Sequence, residues 1–153
     1  MSIIALKIPP LIVVIVIAVG MMVINILWLP GLFSYPFNII GGLILALAGL
    51  ASVVLGLITL RRAKTTPNPF RPENATTLVT EGIYARTRNP IYLGLLLWLV
   101  GLGVYLINPL TFFGPLAFVL YMNRFQIRPE ERALKELFGD EFETYKSRVG
   151  RWM

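Results

Sequence analysis

An all-α membrane bundle is the fold this chain predicts, and three observations carry the expectation. Of its 153 residues, 14% are charged and 56% hydrophobic, against roughly a quarter charged and just under half apolar in an ordinary soluble domain. Residues 8–60 and 89–123 contain no Asp, Glu, Lys or Arg. Each stretch exceeds the roughly 20 residues that cross a hydrocarbon core once and is about long enough to cross twice. Turn residues divide each stretch near its middle, so four spans are expected in a single domain over residues 1–153.

The first span, at roughly 9–29, contains the unbroken apolar run Leu11 to Trp28. That run is about twice the apolar core of a signal peptide, and no small-residue cleavage site follows it. Leu29-Pro30-Gly31 and Ser34-Tyr35-Pro36 interrupt the pattern before a second span at roughly 38–60. Small residues recur there (Gly42, Ala46, Gly49, Ser52, Gly56) and would let a helix approach closely, either within the bundle or between two chains. Asn89-Pro90 reads as an N-cap followed by proline at the first helical position and opens a third span at roughly 90–107. Asn108-Pro109 then makes a tight turn into a fourth, at roughly 110–127, so that the last two spans form a helical hairpin.

Four spans put the N-terminus, the 61–89 loop and the C-terminal tail on one side, which collects all 14 Lys and Arg residues. By the positive-inside bias that side is the cytoplasm, and both termini lie there. The same basic belt facing anionic headgroups accounts for the net charge of +6 without a nucleic-acid partner. Absent residues narrow the chemistry. With no Cys and no His, thiolate nucleophiles, Ser-His relays and His-rich metal sites are excluded, and no metal is expected. The apolar stretches 8–60 and 89–123, with no charged side chain at depth, argue against a proton-coupled transporter. Any chemistry therefore belongs at the cytoplasmic interface.

Two segments there are candidates. The loop from Arg61 to Arg88 is too long for a simple connector. Pro67, Pro69 and Pro72 fix an extended path through its first part. It ends beside the start of the third span, where free backbone N–H groups, a positive dipole end, Arg86 and Arg88 could seat a carboxylate or phosphate; a plain cap with arginines reaching to headgroups is the alternative. The second segment is a helix at 129–150. Leu134, Leu137, Phe138, Phe142, Tyr145 and Val149 share one face, with Glu130 and Glu131 in the first turn. An amphipathic helix on the membrane surface or on the bundle is its expected form.

The run Leu78-Val79-Thr80-Glu81-Gly82-Ile83-Tyr84, then Arg88-Asn89-Pro90-Ile91-Tyr92-Leu93-Gly94, then Glu130-Glu131, Phe138-Gly139, Tyr145 and Arg148-Val149 resembles the isoprenylcysteine carboxyl methyltransferase and phospholipid methyltransferase superfamily. The resemblance covers more than half the chain. It implies an integral membrane enzyme that transfers a methyl group from S-adenosyl-L-methionine. It also implies a cofactor site built from the loop before the penultimate span, the start of that span and the tail after the last one. By the same resemblance Thr77, Leu78, Val79, Tyr84 and Arg88 line the cofactor pocket, Asn89, Pro90 and Tyr92 meet the methionine portion, and Glu130 and Glu131 contact its polar groups. Asn89 and Glu130 would be the positioning residues, and Arg124 or Arg128, one to two turns before the Glu pair, would meet an anionic group of the substrate. Gly101-Leu102-Gly103 matches a Gly-x-Gly of phospholipid methyltransferases, although paired glycines also serve close packing. Many members have His where this chain has Asn89, so no imidazole base stands there.

Methyl transfer from a sulfonium needs alignment and exclusion of water more than strong acids or bases. A carboxylate acceptor, with a reference pKa of about 3.5, is already ionised at neutral pH, whereas an amine of about 10 must first lose a proton. The expected reaction is thus O-methylation of a lipophilic, prenylcysteine-type acceptor entering sideways from the bilayer. Phospholipid N-methylation, a membrane reductase using NADPH and a non-catalytic scaffold are the alternatives.

Overall fold

The computed structural model describes residues 8–28, 36–65 and 75–153. The Leu29-Pro30-Gly31 break, Ser34-Tyr35 and the Pro67, Pro69 and Pro72 segment lie outside the described residues. All regular structure among the described residues is helical. Helix α1 spans Pro10–Leu27, α2 spans Pro36–Arg62 and α3 spans Pro90–Leu106. Both α1 and α3 open on proline, whose fixed φ suits the first helical turn and whose missing N–H would find no partner there anyway. Helix α2 runs past the expected 38–60 at both ends and ends on Arg61 and Arg62, where its dipole favours positive charge. Helices α1 and α2 are each long and apolar enough to cross a membrane; α3, with 17 residues, is a shorter apolar helix. Large apolar side chains lie exposed along both, among them Ile15, Val16, Ile26, Leu43, Ile44 and Leu47. Together they suit association with a membrane.

Helices α2 and α3 meet backbone to backbone, and this places the small residues of α2. They pack inside the chain: a Cβ on Gly94 would stand 2.4 Å from the Gly49 carbonyl oxygen, and one on Gly42 would stand 2.9 Å from that of Gly101. Only glycine permits the two backbones to meet this closely. Trp98 Nε1 donates to the Ala46 carbonyl (2.8 Å) and Ser52 Oγ to the Pro90 carbonyl (2.7 Å), so the close approach also satisfies polar groups across the interface. Gly103 packs against the Phe112 ring, which makes the Gly-x-Gly a packing feature here. Helix α1 covers the other side of α3, and Val13, Val14, Met21, Leu95, Leu99, Phe118 and Met122 form the core between them.

The fourth span and the tail differ from expectation. Ile107, in the left-handed conformation (φ 50°), closes α3, and Asn108 accepts from Leu110 N while donating Nδ2 to the Trp28 carbonyl. A 3₁₀ turn at Pro109–Phe112 then leads into α4, Phe113–Tyr121, a π-helical segment, Met122–Ile127, and α5, Arg128–Arg148, with no break between them. The expected separation between a span ending at 127 and a tail helix starting at 129 is therefore absent. Pro129 explains the π turn. Proline inside an α-helix removes a donor and crowds the carbonyl four residues back, and a wider turn just before it, with Arg128 N bonding to Asn123 O, absorbs the mismatch. The tail helix bends at Gly139 instead (φ 49°, ψ −121°). A Cβ there would meet nothing within 4 Å, so conformation and not space calls for glycine.

Candidate active site

Arg88 is the hub around which the cavity is built. Its backbone N–H donates to the Gly150 carbonyl (3.0 Å), and its guanidinium reaches the carbonyls of Lys146 and Val149. One further nitrogen, Nη2, pairs with Glu131 Oε1 at 2.7 Å. Glu131 is held from the other side by Arg151, through Nε at 2.8 Å and Nη2 at 2.6 Å. Thr87 Oγ1 and Asn89 Nδ2 both donate to the Arg151 carbonyl at 3.0 Å. The residues before α3 thus grip the last residues of the chain, and Glu131 joins both to the first turn of α5. Burial works against the Glu131 carboxylate, but hydrogen bonds and positive charge from Arg151 and Arg88 outweigh it and hold its pKa below the usual range.

Asn89 occupies the expected cap position, but its side chain makes no capping bond. It turns to the chain end, and Thr87 Oγ1 accepts from the Asn89 N–H (3.2 Å). The expectation that Asn89 caps α3 is corrected accordingly: its Nδ2 donates to the Arg151 carbonyl, and its Oδ1 accepts no helix N–H.

Above this clamp, a cavity lies between the loop, the start of α3 and the first turns of α5. Thr77, Leu78, Val79, Tyr84, Arg88, Asn89, Pro90, Tyr92, Glu130 and Glu131 all line it. Apolar walls come from Leu60, Ile91 and Leu134, and its polar floor from Glu130. Glu130 Oε1 accepts two hydrogen bonds there, one from Tyr92 Oη at 2.5 Å and one from Gln126 Nε2 at 2.6 Å. Desolvation pushes the Glu130 carboxyl up to about 7, offset in part by those two donors and reinforced by the charge of Glu131. Tyr145 Oη donates to the Tyr84 carbonyl at 2.7 Å, tying α5 to the 3₁₀ turn Gly82–Ala85. Burial raises both phenols, Tyr145 to about 12, so neither ionises near neutral pH.

The adjacent carboxylates thus differ in environment: Glu131 is a paired anion that holds the wall, and Glu130 presents a less acidic carboxyl to the cavity. Sequence reasoning had not singled out Gln126. Its position four residues before Glu130 was visible, and residues four apart on a helix are neighbours, but only the fold shows that both are buried beside the cavity with their side chains bonded. Arg151 and the tail carbonyls likewise gave no local signal. Arg124 and Arg128 do not line this cavity; they border a separate open groove with Arg132, Lys135, Lys146 and Arg151.

Fold and site together define a helical protein with apolar, membrane-suited helices and a mainly apolar cavity with a polar floor, lined in part by its own tail. Residues 37–141 match the family model for phospholipid methyltransferase, and the chain belongs to that family. A probable protein-S-isoprenylcysteine O-methyltransferase of Oryza sativa subsp. indica is 36% identical over 123 residues, 78% of this chain and 63% of that protein. Protein-S-isoprenylcysteine O-methyltransferase B of Arabidopsis thaliana is 38% identical over 111 residues, 66% of this chain and 55% of the relative. The human protein-S-isoprenylcysteine O-methyltransferase is 40% identical over 73 residues, 48% of this chain and 26% of its own length. The chain therefore spans under two thirds of the length of these relatives.

Proposed function

We propose that the chain is an integral membrane methyltransferase that uses S-adenosyl-L-methionine to O-methylate a carboxylate on a lipophilic acceptor of prenylcysteine type. The observation that carries this reading is the convergence of the loop, the α3 start and the Glu130 turn on one cavity. In this reading α1, α2, α3 and the segment from Pro109 to Ile127 are four spans, the last two a helical hairpin. The termini and the cavity then face the cytoplasm, where the basic residues gather, and residues 1–153 form a single methyltransferase domain.

The lining fits such a donor. Leu60, Leu78, Val79 and Leu134 offer apolar walls to a flat heterocycle. Arg88 Nε is a buried donor without a hydrogen-bond partner among the described residues, suited to a carboxylate. When bound, the donor supplies a methyl group on a permanent sulfonium cation for in-line transfer. The chain's residues position and seal: Glu130 and Asn89 orient the donor, the Arg88–Glu131–Arg151 clamp closes the tail, and the closed floor keeps water out. A lipid-tailed acceptor enters sideways between the helices, and this route fails if water-soluble acceptors are methylated as fast as lipid-tailed ones.

One observation favours a second reading, N-methylation of a phosphatidylethanolamine-type headgroup. Glu130, raised to about 7, is a stronger base than an ordinary carboxylate and lines the cavity where a proton leaving an ammonium group could be taken up. Membranes containing the protein, given methyl-labelled donor with either a prenylcysteine or phosphatidylethanolamine, separate the two. Label released as methanol by mild base marks the ester, and base-stable label in the headgroup marks the amine. No label in either acceptor rules out both.

A further inference from the structure

We propose that one face of the continuous α4–α5 helix is a docking site for an anionic phospholipid, separate from the cavity. Phe113, Leu116 and Leu120 are exposed on α4 at 64%, 52% and 62%. Continuing down the chain at the same spacing of three or four residues come Arg124, Arg128, Arg132 and Lys135. Residues so spaced share one helical face, and the wider π turn at Met122–Ile127 keeps them in line across steps of four. This single stripe changes from bare hydrocarbon to cations at about the level where the fourth apolar segment ends.

The cationic half borders a groove whose other wall carries Lys146 and Arg151. Its two acids are already neutralised: Glu131 pairs with Arg88 and Arg151, and Glu143 pairs with Lys135 at 3.0 Å and Lys146 at 3.5 Å. Arg124, Arg128 and Arg132 form no ion pair among the described residues, and the Arg124 guanidinium rests 5.8 Å from the Phe125 ring centroid. From Arg124 to Arg132 the helix rises about 12 Å, the scale of a glycerophosphate headgroup. An amphiphile with its acyl chain along Phe113, Leu116 and Leu120 would set its phosphate among the three arginines. A soluble anion would use only the lower half. The stripe therefore matches a lipid of the inner leaflet, and its bidentate guanidiniums suit phosphate oxygens.

The test uses full-length protein, delipidated in neutral detergent and titrated with phosphatidylglycerol, phosphatidylcholine or inorganic phosphate, with bound lipid counted by native mass spectrometry. Phosphatidylglycerol is expected to bind saturably and phosphatidylcholine weakly. Arg124→Gln/Arg128→Gln/Arg132→Gln should weaken phosphatidylglycerol binding by about tenfold or more. Arg61→Gln/Arg62→Gln/Lys64→Gln removes the same charge elsewhere and should change it by less than about threefold. Unchanged melting of each variant shows that it is folded. Equal losses in the two variants, or none in the first, would overturn the site; displacement of the lipid by millimolar inorganic phosphate would overturn the lipid as its occupant. A donor-binding measurement on the same samples reads the cavity independently, so the two proposals fail separately.

Discussion

Replacing Glu131 with alanine removes the carboxylate that joins Arg88 to Arg151 and leaves Arg88, whose side chain is 9% exposed, without its anion. Breaking a fully buried pair from one side costs about 3–5 kcal/mol, and an exposed pair is worth about 0–1 kcal/mol. Here Arg151 is 31% exposed, and Arg88 keeps the carbonyls of Lys146 and Val149 as acceptors. The expected loss is therefore intermediate, about 2 kcal/mol, or a fall in Tm of about 4–8 °C. The loss should be local before it is global. The Arg88 amide, bonded to the Gly150 carbonyl, should exchange hydrogen faster by at least an order of magnitude, while amides in the middle of α2 and α3 keep their protection. Thermal melting and hydrogen exchange by mass spectrometry in detergent read both quantities. A Glu131→Ala protein with Tm within about 1 °C of wild type and an unchanged Arg88 amide would refute the clamp.

Other consequences can be measured separately. Gly94→Val should cost about 1–3 kcal/mol because its Cβ meets the Gly49 carbonyl at 2.4 Å, whereas Gly20→Ala, with nothing within 4 Å, should leave melting unchanged or slightly raised. A Glu130 carboxyl raised to about 7 from 4.5 binds more protons folded than unfolded between those values. Its contribution thus lowers stability as pH rises through that window, and melting of wild type minus Glu130→Gln should fall from about pH 5 to about pH 7. Glu131, held low, acts oppositely: its support is present at neutral pH and is lost only as pH drops through its depressed value. Tyr145→Phe should cost about 1 kcal/mol through the lost bond to the Tyr84 carbonyl and loosen the turn Gly82–Ala85 in hydrogen exchange.

Much of the site was legible because its signals are local. Asn89-Pro90 marked a helix start, the Glu pair marked a first turn, and an overlong loop marked residues with work beyond connection; all three meet at one cavity. The small residues of α2 told of close approach, but which partner they approach depends on Gly94, Trp98 and Gly101, some fifty residues away, and only folding shows it. The tail helix expected from 129 is present as α5, but a π turn before Pro129 joins it to α4 without the break that the sequence suggested. Arg124 and Arg128 were grouped with the Glu pair by proximity along the chain, yet they border the open groove rather than the cavity. The tail contributes mainly backbone carbonyls, of Lys146, Val149, Gly150 and Arg151, and carbonyls carry no side-chain signature.

The most direct test is calorimetric titration of the detergent-purified full chain with S-adenosylhomocysteine, for wild type and Glu130→Ala. A saturable one-site heat in the wild type, lost in a variant that still melts cooperatively, is the expected result. No heat in the wild type, or the same affinity in Glu130→Ala, would contradict a methyl-donor site in this cavity.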